Sequence, residues 1–591
     1  MAKIATTDST KIFQLKNWLG LNESPDGDTE LRMGEAAVMR NWRITRENHL
    51  QIRPGYGAKC TLEEGSPVRG LWSGYVDGKF HVLASCGGLL WDIDPDTWEC
   101  EEVGVIDDEP VSFFGFARKV YMLTGSEYYV WDGISPAHIV DGYAPIVVTA
   151  ASPEGGGTLL ERVNILTGKR RAQYSPDGEA KVFRLPEKEL SEFLYVDGTD
   201  IPWTADLEAG TVTFEKAPEQ GVNTITFTWR KGSGDREKVA GMRCMELYNG
   251  DTDNRVFLYG DGGNVCVYSD LDENGQPSAE YFPDMNEMAV GSANTPITAL
   301  IRHYGRLLVF KPDGAYTADY SPKELETGVV TAAFYCTPLN REIGCAGFGQ
   351  AVLVKNNPRT LHGRAVYEWS LAGNGTRDER NAKRISDRVE NTLSRFDLAQ
   401  CVVFDDEQRQ EYYLVCGDEV LVNNYGNDTW YYYTNVPARC MGVVRGELYF
   451  GTPDGRVMHF SREYRNDDLA PIDTYWESGA MDFDADWKRK YSTTLWVATK
   501  PESQSRVTVT AQSNRKSDYV KKEISYGLVS FDNANFAHWS FGTNRKPQVQ
   551  RVRLKVKKFT FYKLIFESCS ASATATVLGV DFQVRYTGNV K

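Results

Sequence analysis

The sequence predicts an all-β chain: a β-propeller of about seven blades with an inserted β-sandwich and a C-terminal β-sandwich. Three observations predict it. Seven times the chain shows an apolar strand, a Gly/Asp-type turn and a second apolar or aromatic strand. These units recur about 36 to 61 residues apart, with one gap near 135. Aromatic residues make up 12%, and 31 Tyr, 14 Trp and 53 Gly favour strands and tight turns over helices.

The first two units are His81 to Trp91 and Val120 to Trp131. Then come Arg255–Tyr259 with Val265–Tyr268, Arg306–Phe310 with Ala315-Tyr316, and Val352–Val354 with Ala365–Tyr367. The last two are Tyr412–Val415 with Val420–Val422, and Glu447–Phe450 with Arg456–Phe460. A lone hairpin cannot bury both faces, so such units must stack about an axis and share a core. Six to eight blades fit the spacing, and a run of unrelated hairpins in two sandwiches is the competing reading. An N-terminal strand could complete the last blade.

Within the long gap, residues 151–236 read as the inserted sandwich. Its strands are Ala180–Arg184, Phe193–Val196, Thr211–Phe214 and Thr224–Trp229, which alternate with period two. Pro153–Gly157 and Lys231–Asp235 read as its flexible, glycine-rich boundaries. Residues 1–66 form an N-terminal segment joining the propeller, 67–150 its first blades, and 237–475 the remaining blades.

From 476 to 591 the pattern changes to a terminal sandwich, with strands at Thr494–Ala498, Val507–Thr510, Val552–Val556, Phe559–Phe566 and Ala575–Val584. The strict alternation of Arg551-Val-Arg-Leu-Lys-Val-Lys557 places Arg551, Arg553, Lys555 and Lys557 on one face of a strand. That face is either solvated or a docking surface for an acidic partner. A single helix is predicted, Arg380 to Asp397, with Ile385, Val389, Leu393 and Phe396 on one side.

Charge divides the chain. Residues 476–591 carry 19 Lys+Arg against 10 Asp+Glu, a balance of +9 within a total of −15, so positions 1–475 hold −24. An acidic body repels phosphates and is disfavoured as a nucleic-acid binder, but suits a wall along which DNA slides without sticking. No segment approaches the roughly 18 apolar residues of a membrane helix. Met1 to Leu15 lacks an apolar stretch of signal-peptide type, so a cytoplasmic site of synthesis is expected. The 11 cysteines are scattered without a Cys-x-x-Cys pair. Several, such as Cys266 and Cys416, sit in apolar runs and read as free buried thiols.

Chemistry-bearing motifs are scarce. The seven histidines have no metal-ligand spacing, and neither a nucleophile elbow nor a P-loop is present. Carboxylates are plentiful, so a glycosidase pair is not excluded. Asp96-Thr-Trp98 and Asp428-Thr-Trp430 are fragments of a sialidase Asp-box without its frame and read as hairpin turns. Asp270, Asp272 and Asn274 with Gly275 have the spacing of a calcium loop, yet Tyr281 stands where an EF-hand has its bidentate Glu. A turn is the simpler reading. No catalytic, cofactor-binding or metal-ligating residue is assigned.

Several phrases resemble a family when taken in order. Gly34-Glu-Ala36, Arg40-Asn-Trp42-Arg-Ile44 and Leu50-Gln-Ile-Arg-Pro-Gly-Tyr56 are similar to the start of bacteriophage tail nozzle and stabilisation proteins. Asn254–Gly260, Tyr281-Phe-Pro-Asp284, Pro296–Leu300, Arg306–Phe310, Pro338–Cys345 and Gly363–Trp369 continue the likeness, which covers about residues 12–56 and 240–460. The resemblance implies a virion tail component assembled in the host cytoplasm. It would form a homo-oligomeric ring, usually of six copies, beside the portal, adaptor and other tail proteins. DNA would pass through the lumen during ejection. It implies no enzymatic activity and no cofactor. The alternative is a receptor-binding or glycan-degrading tail protein built on a propeller.

Overall fold

The computed structural model describes residues 10–24, 27–250, 252, 254–324, 330–331, 333–370, 381–502, 504–526 and 547–590. The chain is all-β and divides into two compact units. One comprises Arg69–His362 and Glu368–Lys383, the other Met1–Val68, Gly363–Tyr367 and Arg384–Lys591.

The first unit is built of propeller-type blades, each a four-stranded meander. The first blade runs through Val68–Val76, Lys79–Cys86, Leu89–Ile93 and Cys100–Val105, and the second through Ser112–Phe116, Lys119–Leu123, Tyr128–Trp131 and His138–Ile139. The third uses Cys244–Leu247, Val256–Tyr259, Val265–Tyr268 and Glu287–Ala289. The fourth uses Ala299–His303, Arg306–Lys311, Gly314–Tyr320 and Phe334–Asn340, and a further four-stranded sheet of Val352–Val354, Asn357–His362, Ala365–Trp369 and Ala382–Arg384 follows. Two-residue turns with positive φ at both positions, Asp77-Gly78 and Gly87-Gly88, match the twist of the strands they join.

The blades stack through shared cores. Leu83 and Leu90 of the first meet Val120, Met122 and Trp131 of the second. Tyr121, Leu123 and Tyr128 of the second meet Val256, Leu258 and Phe282 around the third. Phe257 and Tyr268 then meet Leu300, Leu307 and Val309 of the fourth. Strands such as Val256–Tyr259 are buried along their whole length. With both faces covered they read as continuous apolar runs instead of alternating.

The inserted sandwich starts at Ile146, slightly earlier than its composition suggests. Its five-stranded sheet holds Thr158–Leu159, Ile146–Ala151, Lys169–Tyr174, Ile225–Arg230 and Glu192–Asp197 in spatial order. A three-stranded sheet holds Val182–Arg184, Thr211–Phe214 and Trp203–Asp206. The core joining them contains Tyr174, Phe183, Phe214, Phe227 and Trp229. Pro153–Gly157 proves to be a turn between two strands of the insertion, closed by the Ser152–Gly155 bridge, and not a linker. The true joints are pinned. Arg236 donates to both oxygens of Glu127 and to the Val140 carbonyl, and the Asn164 side-chain amide donates to the Tyr143 and Glu280 carbonyls.

The second unit contains two further blades and the terminal sandwich. One blade runs through Val402–Asp406, Glu411–Cys416, Glu419–Asn424 and Thr429–Tyr433. The last, Cys440–Val444, Glu447–Gly451 and Arg456–Ser461, takes its fourth strand from the N-terminal segment: Gly55–Thr61 pairs antiparallel with Arg456–Ser461. This completion of a blade by an N-terminal strand is what the repeat pattern anticipates.

Arg53 fixes that junction. It is fully buried and donates through Nη1 and Nη2 to the two carboxylate oxygens of Asp467 at 2.8 and 2.6 Å. Its remaining N–H groups reach Asn41 Oδ1, the Pro54 carbonyl and the Thr434 carbonyl, each at 2.9 Å. Tyr56 donates to the Asn435 carbonyl and packs edge-on against Phe450. The Arg-Pro-Gly-Tyr phrase is therefore a structural joint.

The N-terminal segment does more than join the propeller. Thr10–Leu15 and Leu50–Ile52 pair with Thr576–Asn589, and Glu35–Arg40 pairs with Ala470–Ser478. The sandwich thus begins near Ala470 and includes strands from both ends of the chain. One sheet adds Trp42–Ile44, Lys488–Thr499, Gln548–Val552 and Val556–Phe559, and the other Ser505–Ser513, Lys516–Tyr526 and Tyr562–Ser570. Trp18 against Trp476 at 5.1 Å and Tyr562 against Phe582 at 5.7 Å fill the space between them.

The expected helix over Arg380 to Asp397 does not form. Arg380 lies outside the described residues. Beyond it stand a strand at Ala382–Arg384, a 3₁₀ turn at Asp387–Val389, one α-turn at Glu390–Leu393 and a second 3₁₀ turn at Leu398–Gln400. Polar side chains in the segment are used elsewhere: Glu23 takes the Thr392 amide and hydroxyl at 2.9 and 2.8 Å, and Ser386 Oγ takes the Val366 amide. Such bonds compete with the helical ladder. Val389 and Leu393 are buried all the same.

Candidate interaction surface

The basic row sits at the edge of a sandwich sheet. Gln548–Val552 and Val556–Phe559 both pair with Lys488–Thr499, setting Arg551 opposite Trp496 and Lys557 opposite Tyr491. The continuous strand expected across Val552–Val556 is broken at residues 553–555, where no ladder pairing occurs. Ser492 pairs with Val556 and Leu495 with Val552, so the basic strand carries one more residue than its partner across the break. Side-chain alternation survives it. Val552, Leu554 and Val556 are buried, while Arg551, Arg553, Lys555 and Lys557 are exposed.

None of the four makes an ion pair or side-chain hydrogen bond with a described residue. Nearby, Val549 is 62% exposed, and a shallow groove of about 340 Å³ is lined by Lys16, His49, Trp496, Val549 and Asp581.

The structure also exposes an acidic counterpart that the charge count over 475 positions concealed. Residues 80–117 carry nine acidic residues and no Lys or Arg. This stretch folds into the first blade and ends on its outermost strand, Cys100–Val105, which pairs with Leu89–Ile93 on one side and on the other is bridged at Gly104 by Ala137, leaving Cys100–Glu102 without a ladder partner there among the described residues. Glu99, Glu101, Glu102 and Glu109 are exposed, and none forms an ion pair with a described residue. Val105, beside them, is 67% exposed. A narrower charge window would have found this strand.

The chemistry-bearing candidates each make local contacts within the fold. Asp270 pairs with Arg255 at 2.7 Å and accepts from Asn286, while Asp272 Oδ1 accepts the amides of Asn274 and Gln276. Those carboxylates build the turn. No group of three or more His, Cys, Asp or Glu arranged for a metal occurs among the described residues. His81 Nδ1 lies 2.8 Å from Asp92, with its ring edge-on to Trp131.

Asp96-Thr-Trp98 is a turn in which Asp94 accepts the amides of Asp96 and Thr97. Asp428 has positive φ, and Trp430 is buried. Burial pushes Glu161 above the usual carboxylate range. Its oxygens receive the Tyr143 hydroxyl and the Ile146 amide, which fastens the entry to the inserted sandwich. Glu246, on the first strand of the third blade, is pushed up by burial to about 7. No disulfide is formed among the described cysteines; Cys266 and Cys345 are fully buried, and burial raises their pKa.

No helix among the described residues is long and apolar enough to cross a membrane. No family model matches the chain, and no curated protein sequence matches it. Among solved structures, the computationally designed Ika8 protein aligns over 68% of this chain and 99% of its own, at 12% identity and TM-score 0.31. An exo-β-1,3-galactanase from Phanerochaete chrysosporium aligns over 81% and 96%, at 10% identity and TM-score 0.18. The WD40 domain of SCAP from fission yeast aligns over 69% and 94%, at 11% identity and TM-score 0.21. The chain's own sheets define its class: an all-β protein of propeller-type blades with an inserted and a terminal sandwich.

Proposed function

We propose that this chain is a non-catalytic architectural subunit of a bacteriophage tail, a nozzle-type component with about seven blades that forms part of the DNA-ejection channel. The observation that carries the architectural reading is the row Arg551, Arg553, Lys555 and Lys557, without an ionic partner among the described residues, on a sheet edge of an otherwise acidic chain. Four cations without a partner among the described residues are a surface suited to an acidic neighbour, and such complementarity sets register and specificity between proteins. The tail setting is supported by the ordered resemblance of residues 12–56 and 240–460 to nozzle proteins. Within it, a ring of copies would meet the portal or adaptor, and acidic walls would pass DNA without holding it.

Antibody-gold labelling of particles of the encoding phage, viewed by electron microscopy, tests this. Gold at the neck or tail axis is expected. Gold on peripheral appendages would shift the reading to receptor binding or glycan degradation, and unlabelled particles would overturn the virion role.

A further inference from the structure

We infer that the basic sandwich edge of one copy docks on the acidic outer strand of the first blade of a second copy. This deepens the proposed function and rests on its reading of the chain as an assembling subunit. Each side combines the same two features: four exposed charges without an ionic partner among the described residues, and one strongly exposed valine, Val549 or Val105. The charges are opposite, Arg551, Arg553, Lys555 and Lys557 against Glu99, Glu101, Glu102 and Glu109. Both are sheet edges, which natural proteins cover or charge to prevent indiscriminate pairing. Here each charge pattern repels its own kind and accepts the other.

The geometry has a consequence for assembly. The two patches are different surfaces and each copy carries both, so two copies that pair reciprocally close a dimer, whereas copies that pair head to tail leave one basic and one acidic edge free. Contacts of this kind propagate into rings when the rotation closes and filaments when it does not. The interface is also salt-sensitive, because exposed charges are screened within about 10 Å at 0.1 M ionic strength.

The test uses the full-length chain and two double charge reversals, Arg551→Glu with Arg553→Glu and Glu101→Lys with Glu102→Lys. Assembly mass is measured by sedimentation at about 0.05 and 0.5 M salt. The wild type is expected to assemble at low salt and dissociate at high salt. Each variant alone should associate at least about tenfold more weakly. An equimolar mixture of the two should recover assembly, since each then offers the edge that the other needs, and this recovery also shows that both variants are folded. If each variant assembles like the wild type, or the mixture fails to recover, the pairing is wrong. A wild type that stays monomeric at all concentrations overturns it too. Gold labelling of particles judges the tail role separately, so failure here leaves that reading standing or falling on its own result.

Discussion

Replacing Asp467 with Asn should loosen the strand that completes the last blade, and the size of the effect follows from the burial of its partner. The Arg53 guanidinium is fully buried and uses all five N–H donors, two of them on Asp467 at 2.8 and 2.6 Å. The rings of Tyr433 and Phe460 lie 5.7 and 6.0 Å from its central carbon. Asp467→Asn keeps the shape but leaves a buried cation facing a neutral amide, at a cost of about 3–5 kcal/mol.

Because the chain has two compact units, one unfolding midpoint does not isolate this joint. Hydrogen exchange of the Gly55–Thr61 amides does. At about 1.4 kcal/mol per factor of ten, exchange there should accelerate by roughly 10² to 4 × 10³-fold. The pair Arg53→Met with Asp467→Leu should cost less than the sum of its two single substitutions, because it leaves no stranded charge. Exchange in Gly55–Thr61 that is unchanged in folded Asp467→Asn would refute this account of the joint.

Three further outcomes are expected. A Cβ on Gly55 would overlap the Asn466 carbonyl oxygen, so Gly55→Ala should destabilise the same strand by about 2 kcal/mol or more, seen as faster exchange over Gly55–Thr61. Glu246 has a folded pKa near 7 against an ordinary 4.5, so within that window the folded state keeps a proton that the unfolded state has lost. Stability around Cys244–Leu247 should therefore fall as pH rises from about 4.5 to 7, by up to about 3 kcal/mol, and Glu246→Gln should flatten the dependence. Urea titrations at several pH values, read by exchange in that strand, check the sign. Cys569 is the exposed member of the eleven thiols, so a thiol reagent should modify it first in the native protein, and all eleven only on unfolding. Rapid native labelling of Cys266 or Cys345 would contradict their burial.

Local pattern by itself determined the blades and much of the candidate surface. Continuous apolar runs such as Val256–Tyr259 and turns such as Asp77-Gly78 record their own environment, because burial on both faces and positive φ each demand particular residues. The alternation at Arg551–Lys557 likewise stated which side chains face out, although not that the strand breaks at 553–555. Only tertiary structure decided the rest. Thr10–Leu15 finds its partner in Thr576–Asn589, and Arg53 meets Asp467 across 414 positions. Neither pairing leaves a periodic trace, since any strand of suitable alternation could have served. The segment after Arg380 has a helical apolar spacing, yet Glu23 claims Thr392 from outside it. Short-range order is written in residue type and period. Long-range pairing depends on which donors, acceptors and sheet edges remain unoccupied once the rest of the chain has folded.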